Sequence, residues 1–262
     1  MNVQNVKRDI GLTNLHRIQL LYLVYGAGNG GIFFYFCDFM GGGRLSRPIG
    51  EGNELKGQKM NIPELHAPQA FEPAYDMFHK FLKDSFNNGI KFSNDELIQI
   101  LWMWLKVEGS EEIFRILSPE FGIMPMNFIP DCSESLNLVL TQKYLVESFD
   151  AEYGLCNCMQ SAIVIKDIDS CKEIFINRLG EEKNSDSGWY FGAQDSSLDS
   201  NNVDDLERRS LWELFCTYPI FGDFFLLPSG WQVVIEDSPV VLNGYSLAKY
   251  KSDSYYAEKY KK

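Results

Sequence analysis

The stretch LVYGAGNGGIFFYF sets Gly26, Gly28 and Gly31 in the G-x-G-x-x-G spacing. Glycines so placed let backbone amides approach a pyrophosphate at the start of a helix, and the chemistry would be nucleotide binding. That chemistry needs a strand before the glycines, a full helix after them and an acidic residue about twenty positions on. IQLLYLVY can supply the strand, but IFFYFCDFM is only about two turns long. GGGRLSRPIGEG, which follows, has neither a helical period nor strand alternation. The βαβ unit is therefore left incomplete, and the glycines read as a helix stop and turn in which Asn29 and Gly30 can take positive φ. A small-molecule or nucleotide site near Gly28, lined by the aromatic residues around Trp102, remains the alternative function.

Other catalytic constellations are missing from the sequence. There is no G-x-S-x-G elbow, H-E-x-x-H pair or Gly-Lys-Ser/Thr phosphate loop. The three histidines, His16, His66 and His79, lie in the first half, so none is near in sequence to activate Ser187 or a later cysteine. Cys156 and Cys158 form a C-x-C pair without the second ligand pair of a zinc knuckle. Asp204 and Asp205 are adjacent, and neighbours on a helix do not face one another as an acid/base couple must. No cofactor, no metal and no enzymatic activity are expected.

What the chain does display is acidity. Its formal net charge is -12 and its pI near 4.8, which argues against nucleic acid or an anionic membrane as partner and favours a basic one. The carboxylates concentrate between the late strands, at Asp195, Asp199, Asp204, Asp205 and Glu207. Such a loop can plug a basic active site and steer association, or it can simply be solvated. The six cysteines are too scattered for a disulfide framework and read as reduced thiols. MNVQNVKRDIGLTN lacks the apolar region of a signal peptide, so a cytoplasmic location is expected. Residues 18–37 carry no charge and are long enough to span a bilayer. Gln19, Asn29 and four glycines oppose insertion, and a buried hairpin or helix pair is the other reading.

The elements that must position these residues point to an α+β protein with a boundary near residue 155. In residues 1–155 helices are expected over FEPAYDMFHKFLKDSF, over SNDELIQILWMWLKV with Ser93 and Glu96 in capping-box spacing, over SEEIFRIL, and over SLNLVLTQKYLVESF. Trp102 and Trp104 then sit on a central helix, packed or lining a ligand site. Residues 156–262 switch to period-two runs: SAIVIKD, EIFINRLG, SGWYFG, DFFLLP and GWQVVIED. A small antiparallel sheet follows, with one main helix over VDDLERRSLWELFCTYP and a solvated, lysine-rich end.

Within this second half, NSDSGWYFGAQDS and FLLPSGWQVV carry a resemblance. Asp186-Ser187-Gly188-Trp189, set between strands, resembles a small bacterial domain marked by a DSGW motif, the thirty-third in the series of immunity proteins of polymorphic toxin systems. The order strand, strand, DSGW, acidic loop, helix and late Pro-Gly turn is similar from about Ser161 to Asp237. The run Tyr190 to Asp195 departs from it, since one of two acids usual after the motif is missing. A second, shorter likeness joins the NGG stretch to small helical bacterial domains that include a DNA mimic. The DSGW resemblance implies a cytoplasmic protein that binds and neutralises a cognate toxin, such as a nuclease or another enzyme with a basic cleft. In physical terms Asp186 can accept a hydrogen bond from the backbone two residues on, Gly188 permits the turn and Trp189 packs beneath the sheet. In the functional reading Asp186, Ser187, Trp189 and the five acidic residues from Asp195 to Glu207 contact the toxin.

Overall fold

A computed structural model describes residues 18–25, 32–38 and 62–261, except 91, 111–112, 181–182 and 236. The protein is α+β and divides into two compact units. The first comprises residues 1–100, 104–119 and 128–133, the second residues 101–103, 120–127 and 134–262.

The first unit is built on a six-stranded sheet in the order β2-β1-β3-β4-β5-β6. Its strands are β1 (Ile18–Tyr25), β2 (Ile32–Asp38), β3 (Leu97–Ile100), β4 (Met103–Ser110), β5 (Ile113–Pro119) and β6 (Phe128–Ile129). β1 pairs antiparallel with β2 and parallel with β3. The segment after Gly31 is thus a returning strand, and a dinucleotide fingerprint would require a helix there. Gly26, Gly28 and Gly31 themselves lie outside the described residues. Helix α1 (Glu72–Asn87) buries Ala74, Phe78, Phe81 and Leu82, the stripe expected from their spacing.

Two expected helices are strands instead. SNDELIQILWMWLKV becomes β3 and β4, and SEEIFRIL becomes part of β5. Ser93 and Glu96 do make the capping-box contact, with the Ser93 amide donating to Glu96 Oε2 at 2.8 Å. Asp95 takes φ 63°, however, and the chain leaves the turn extended. Ile98, Ile100, Leu101, Trp102, Met103 and Leu105 are all buried, so the apolar run has no amphipathic period to separate helix from strand. No helix among the described residues is long and apolar enough to cross a membrane.

The second unit carries α2 (Ser133–Ser148, its first residue in the other unit), β7 (Ser161–Ile165), β8 (Ile174–Arg178), β9 (Asp186–Ala193) and β10 (Leu206–Ser210). There follow α3 (Leu211–Thr217), a 3-10 segment at Pro219–Phe224, β11 (Trp231–Ile235), β12 (Pro239–Asn243), β13 (Ser246–Leu247) and α4 (Tyr255–Tyr260). The seven strands run in the order β10-β7-β9-β8-β11-β12-β13, antiparallel except for β7 beside β9. Ala162, Val164, Ile176, Trp189, Phe191 and Val233 line one face and are buried. Trp102 lies in the core of this unit, its ring 5.1 to 6.4 Å from those of Phe215, Phe225 and Trp212. Packing, the other of its two expected uses, accounts for it.

Three further expectations change here. VDDLERRSLWELFCTYP is a strand followed by a short helix, because residues 206–210 pair along the edge of β7 and Ser210 then caps α3 through Glu213 N at 3.0 Å. DFFLLP holds the end of the 3-10 segment and a turn, with Phe224, Phe225, Leu226 and Leu227 all buried where a half-exposed strand would alternate. The lysine-rich end is docked: Tyr256 is buried against Phe149 and Tyr250, and its hydroxyl donates to Pro239 O at 2.7 Å. Burial pushes that phenol up to about 12.

Tyr256→Ala is expected to lower unfolding stability by about 3 kcal/mol or more, as for other buried aromatic truncations. Tyr256→Phe, which loses only the hydroxyl bond, should cost about 1 kcal/mol. Urea denaturation of the two variants checks this, and equal, negligible losses would mean that the end of the chain is not held.

Candidate partner-binding surface

The DSGW residues make the bend that lets β9 lie beside β7. Asp186 Oδ1 accepts the Gly188 amide at 2.9 Å, and Gly188 takes φ 76°, a left-handed conformation that glycine adopts without a Cβ penalty. Ser187 Oγ donates to Ser161 O at 2.9 Å and accepts the Trp189 amide at 3.2 Å. Two steps along β7, from Ser161 to Ile163, correspond to four along β9, from Asp186 to Tyr190, so the motif is a bulge. The bulge turns Trp189 inward, where Nε1 donates to Phe225 O at 3.1 Å.

Beneath Trp189 lies Arg178, wholly buried. Its Nη1 donates to the carbonyls of Gly154, Phe225 and Leu227 at 2.9, 3.0 and 3.2 Å, and Nη2 to Leu155 O at 2.7 Å. The guanidinium carbon is 5.4 Å from the Trp189 ring centroid, within cation–π range. Backbone passes so close here that a Cβ on Gly154 would stand 2.4 Å from Leu227 O. Nothing in the type or spacing of FINRLG marks this arginine as buried, because its partners are carbonyls distant in sequence.

At the other end of β9 the chain enters an acidic loop. Asp195 clamps the start of β8 by accepting the amides of Lys172 and Glu173 at 2.9 and 3.1 Å. Asp167 accepts Ser196 Oγ at 2.7 Å and the Ser197 amide at 3.0 Å. Asp199 accepts the Asn201 amide at 2.9 Å, and Asp205 accepts the Asp199 amide at 3.1 Å. Hydrogen bonds from Ser196 to Asp167, from the Lys172 amide to Asp195 and from the Asn201 amide to Asp199 hold these carboxyls below the usual carboxylate range. All three are therefore anionic at neutral pH. Glu207 is half-buried and pairs with Arg209, which also reaches Asp169 at 2.9 Å. Burial works against the charge on Asp169, but the Tyr218 hydroxyl at 2.7 Å and Arg209 outweigh it and lower its pKa.

Residues 141–243 match the Imm33-like domain family. The match covers β7 to β12, the DSGW bulge and the acidic loop of the second unit, and stops before β13 and the docked C-terminal helix α4. Neither a curated protein nor a solved structure matches the chain.

Within the Imm33-like segment the eight residues singled out in the sequence separate into three groups. Ser187 and Trp189 are buried and hold the bulge. Asp186 is half-buried and meets Arg208 Nη2 at 3.3 Å. It stands at the opposite end of β9 from Asp195. Asp195, Asp199, Asp204, Asp205 and Glu207 come together on one loop and the strand that follows it, with Asp195, Asp199 and Asp204 exposed. Asp167 and Asp169 join this acidic end although they belong to the turn after β7. Their signal in the sequence was the KDIDS turn itself, too short to stand out. Among the described residues no group of three or more metal-ligating side chains is assembled.

Arg178→Met should cost about 3 kcal/mol or more, since the carbonyls of Gly154, Leu155 and Leu227 lose the guanidinium as donor while Phe225 O keeps Trp189. Arg178→Lys should fall between this variant and the unsubstituted chain, because an ammonium keeps the charge without the planar fork. Guanidinium denaturation distinguishes them, and a loss below about 1 kcal/mol for Arg178→Met would show that water replaces the donor at no great cost.

Proposed function

We propose that this chain is an immunity protein that binds a cognate toxin and neutralises it by occluding the active site. The Imm33-like match supports the class of function. The observation that carries the mode of action is the loop from Asp195 to Glu207, which holds five carboxylates and no lysine or arginine. Asp199 and Asp204 point their charge to solvent, and Asp195 does so while clamping the loop. Carboxylates fixed in place by their own hydrogen bonds lose little freedom on docking and attract a basic cleft over distance. A nuclease or another enzyme that handles anionic substrates has such a cleft. Asp186 and the buried bulge residues Ser187 and Trp189 belong to the opposite end of the same strand.

The test is growth of cells that express the host's toxin domains one at a time, with and without this chain. One toxin should be silenced by co-expression. Asp199→Lys with Asp204→Lys should then slow association with that toxin by about tenfold or more at low salt, while Tm falls only slightly through loss of the exposed Asp199–Asn201 bonds. Protection against no toxin would remove the proposal, and unchanged association of the charge-reversed variant would remove the acidic loop from it.

A further inference from the structure

One face of the seven-stranded sheet is packed against the helices, and the other carries an unusual set of side chains. Antiparallel sheets with one solvated face ordinarily place polar residues on it. Here Ile163, Phe175, Tyr190, Val240, Leu242 and Leu247 all occupy outward positions, as the cross-strand registers Ile163↔Tyr190 and Leu242↔Leu247 require. Leu247 is 71% exposed and the other five are half-buried. The rings of Phe175 and Tyr190 lie 6.0 Å apart and fold over Gly192, where a Cβ would meet Phe175 Cζ at 2.5 Å. This glycine lets two aromatic side chains lie flat on the sheet and cover its backbone with apolar surface. Asn177 and Gln232 are the polar positions between them.

The acidic loop borders this face. It leaves the end of β9, the strand that carries Tyr190, and returns into β10 beside β7. Arg208, which stands on β10 opposite Ile163, is paired with Asp186 at 3.3 Å, away from the acidic loop. An apolar surface marks an interaction site when polar groups rim it, and the rim at the end of β9 is anionic. A second copy of the chain would bring the same carboxylates against each other and is disfavoured by that charge.

We infer that the outward face of the seven-stranded sheet is the docking surface, and that it fits a protein presenting an apolar protrusion bordered by lysine or arginine. This inference rests on the proposed immunity function and locates it. The apolar strip supplies affinity by excluding water, while the loop at its end sets orientation and encounter rate. The helical side of the sheet plays no part in contact.

The experiment uses the full chain and the toxin that it silences, purified in a catalytically inactive form, with Kd measured by calorimetry. Leu242→Ala with Leu247→Ala trims the strip at its most accessible strands and should weaken binding by about tenfold or more without moving Tm. Ile220→Ala, at an exposed position on the 3-10 segment of the helical side, should leave Kd unchanged. Unchanged binding by the sheet variant, or a loss confined to Ile220→Ala, would overturn this surface while leaving the immunity function standing. If the unsubstituted chain silences and binds none of the host's toxins, the function fails and this surface falls with it.

Discussion

A buried guanidinium organises the second unit. Arg178 sits at the end of β8 with no carboxylate as partner among the described residues, and its guanidinium nitrogens Nη1 and Nη2 donate to four backbone carbonyls, those of Gly154, Leu155, Phe225 and Leu227. A cation in such a place is tolerable only if its donors are met, because desolvation costs several kcal/mol. The requirement works in both directions. The segment at 154–155 and the turn at 225–227 must approach the same point, and Trp189 must lie over the guanidinium with its own Nε1 on Phe225 O. The DSGW bulge is the local device that delivers Trp189 to that point.

Once Trp189 is fixed inward, the alternation of β9 fixes the rest. Phe191 follows it into the core, while Asp186, Gly188, Tyr190 and Gly192 face outward. The motif is therefore structural in its buried residues, Ser187 and Trp189. Asp195 and Asp167 then hold the loop beyond β9 against β8 and β7 through backbone amides and serine hydroxyls. Under the proposed function, one set of residues serves stability and recognition together.

The DSGW turn was legible in the sequence because its interactions are local: Asp186 to Gly188, and Ser187 to Trp189. The strands β7, β8, β9 and β11 were legible for the same reason, through alternation and turn residues at their ends. What escaped was decided by partners far along the chain. LERRS reads as helix until Ser161–Ile165 offers it an edge to pair with. The run from Leu97 to Leu105 is buried almost throughout, and uniform burial erases the periodicity on which helix and strand are told apart. Arg178 was invisible because carbonyl acceptors have no sequence signature. Tyr256 was hidden among lysines that do stay in solvent while the ring packs beneath them.

The acidic surface of this protein is held to meet a basic one, and the dependence of association on ionic strength tests that most directly. With the silenced toxin in an inactive form, the association rate constant is measured by stopped-flow fluorescence from about 10 mM to about 500 mM salt, across which the Debye length falls several-fold. The account predicts a steep fall in association rate with added salt and a much smaller change in dissociation. An association rate indifferent to salt would contradict electrostatic capture by the Asp195 to Glu207 loop.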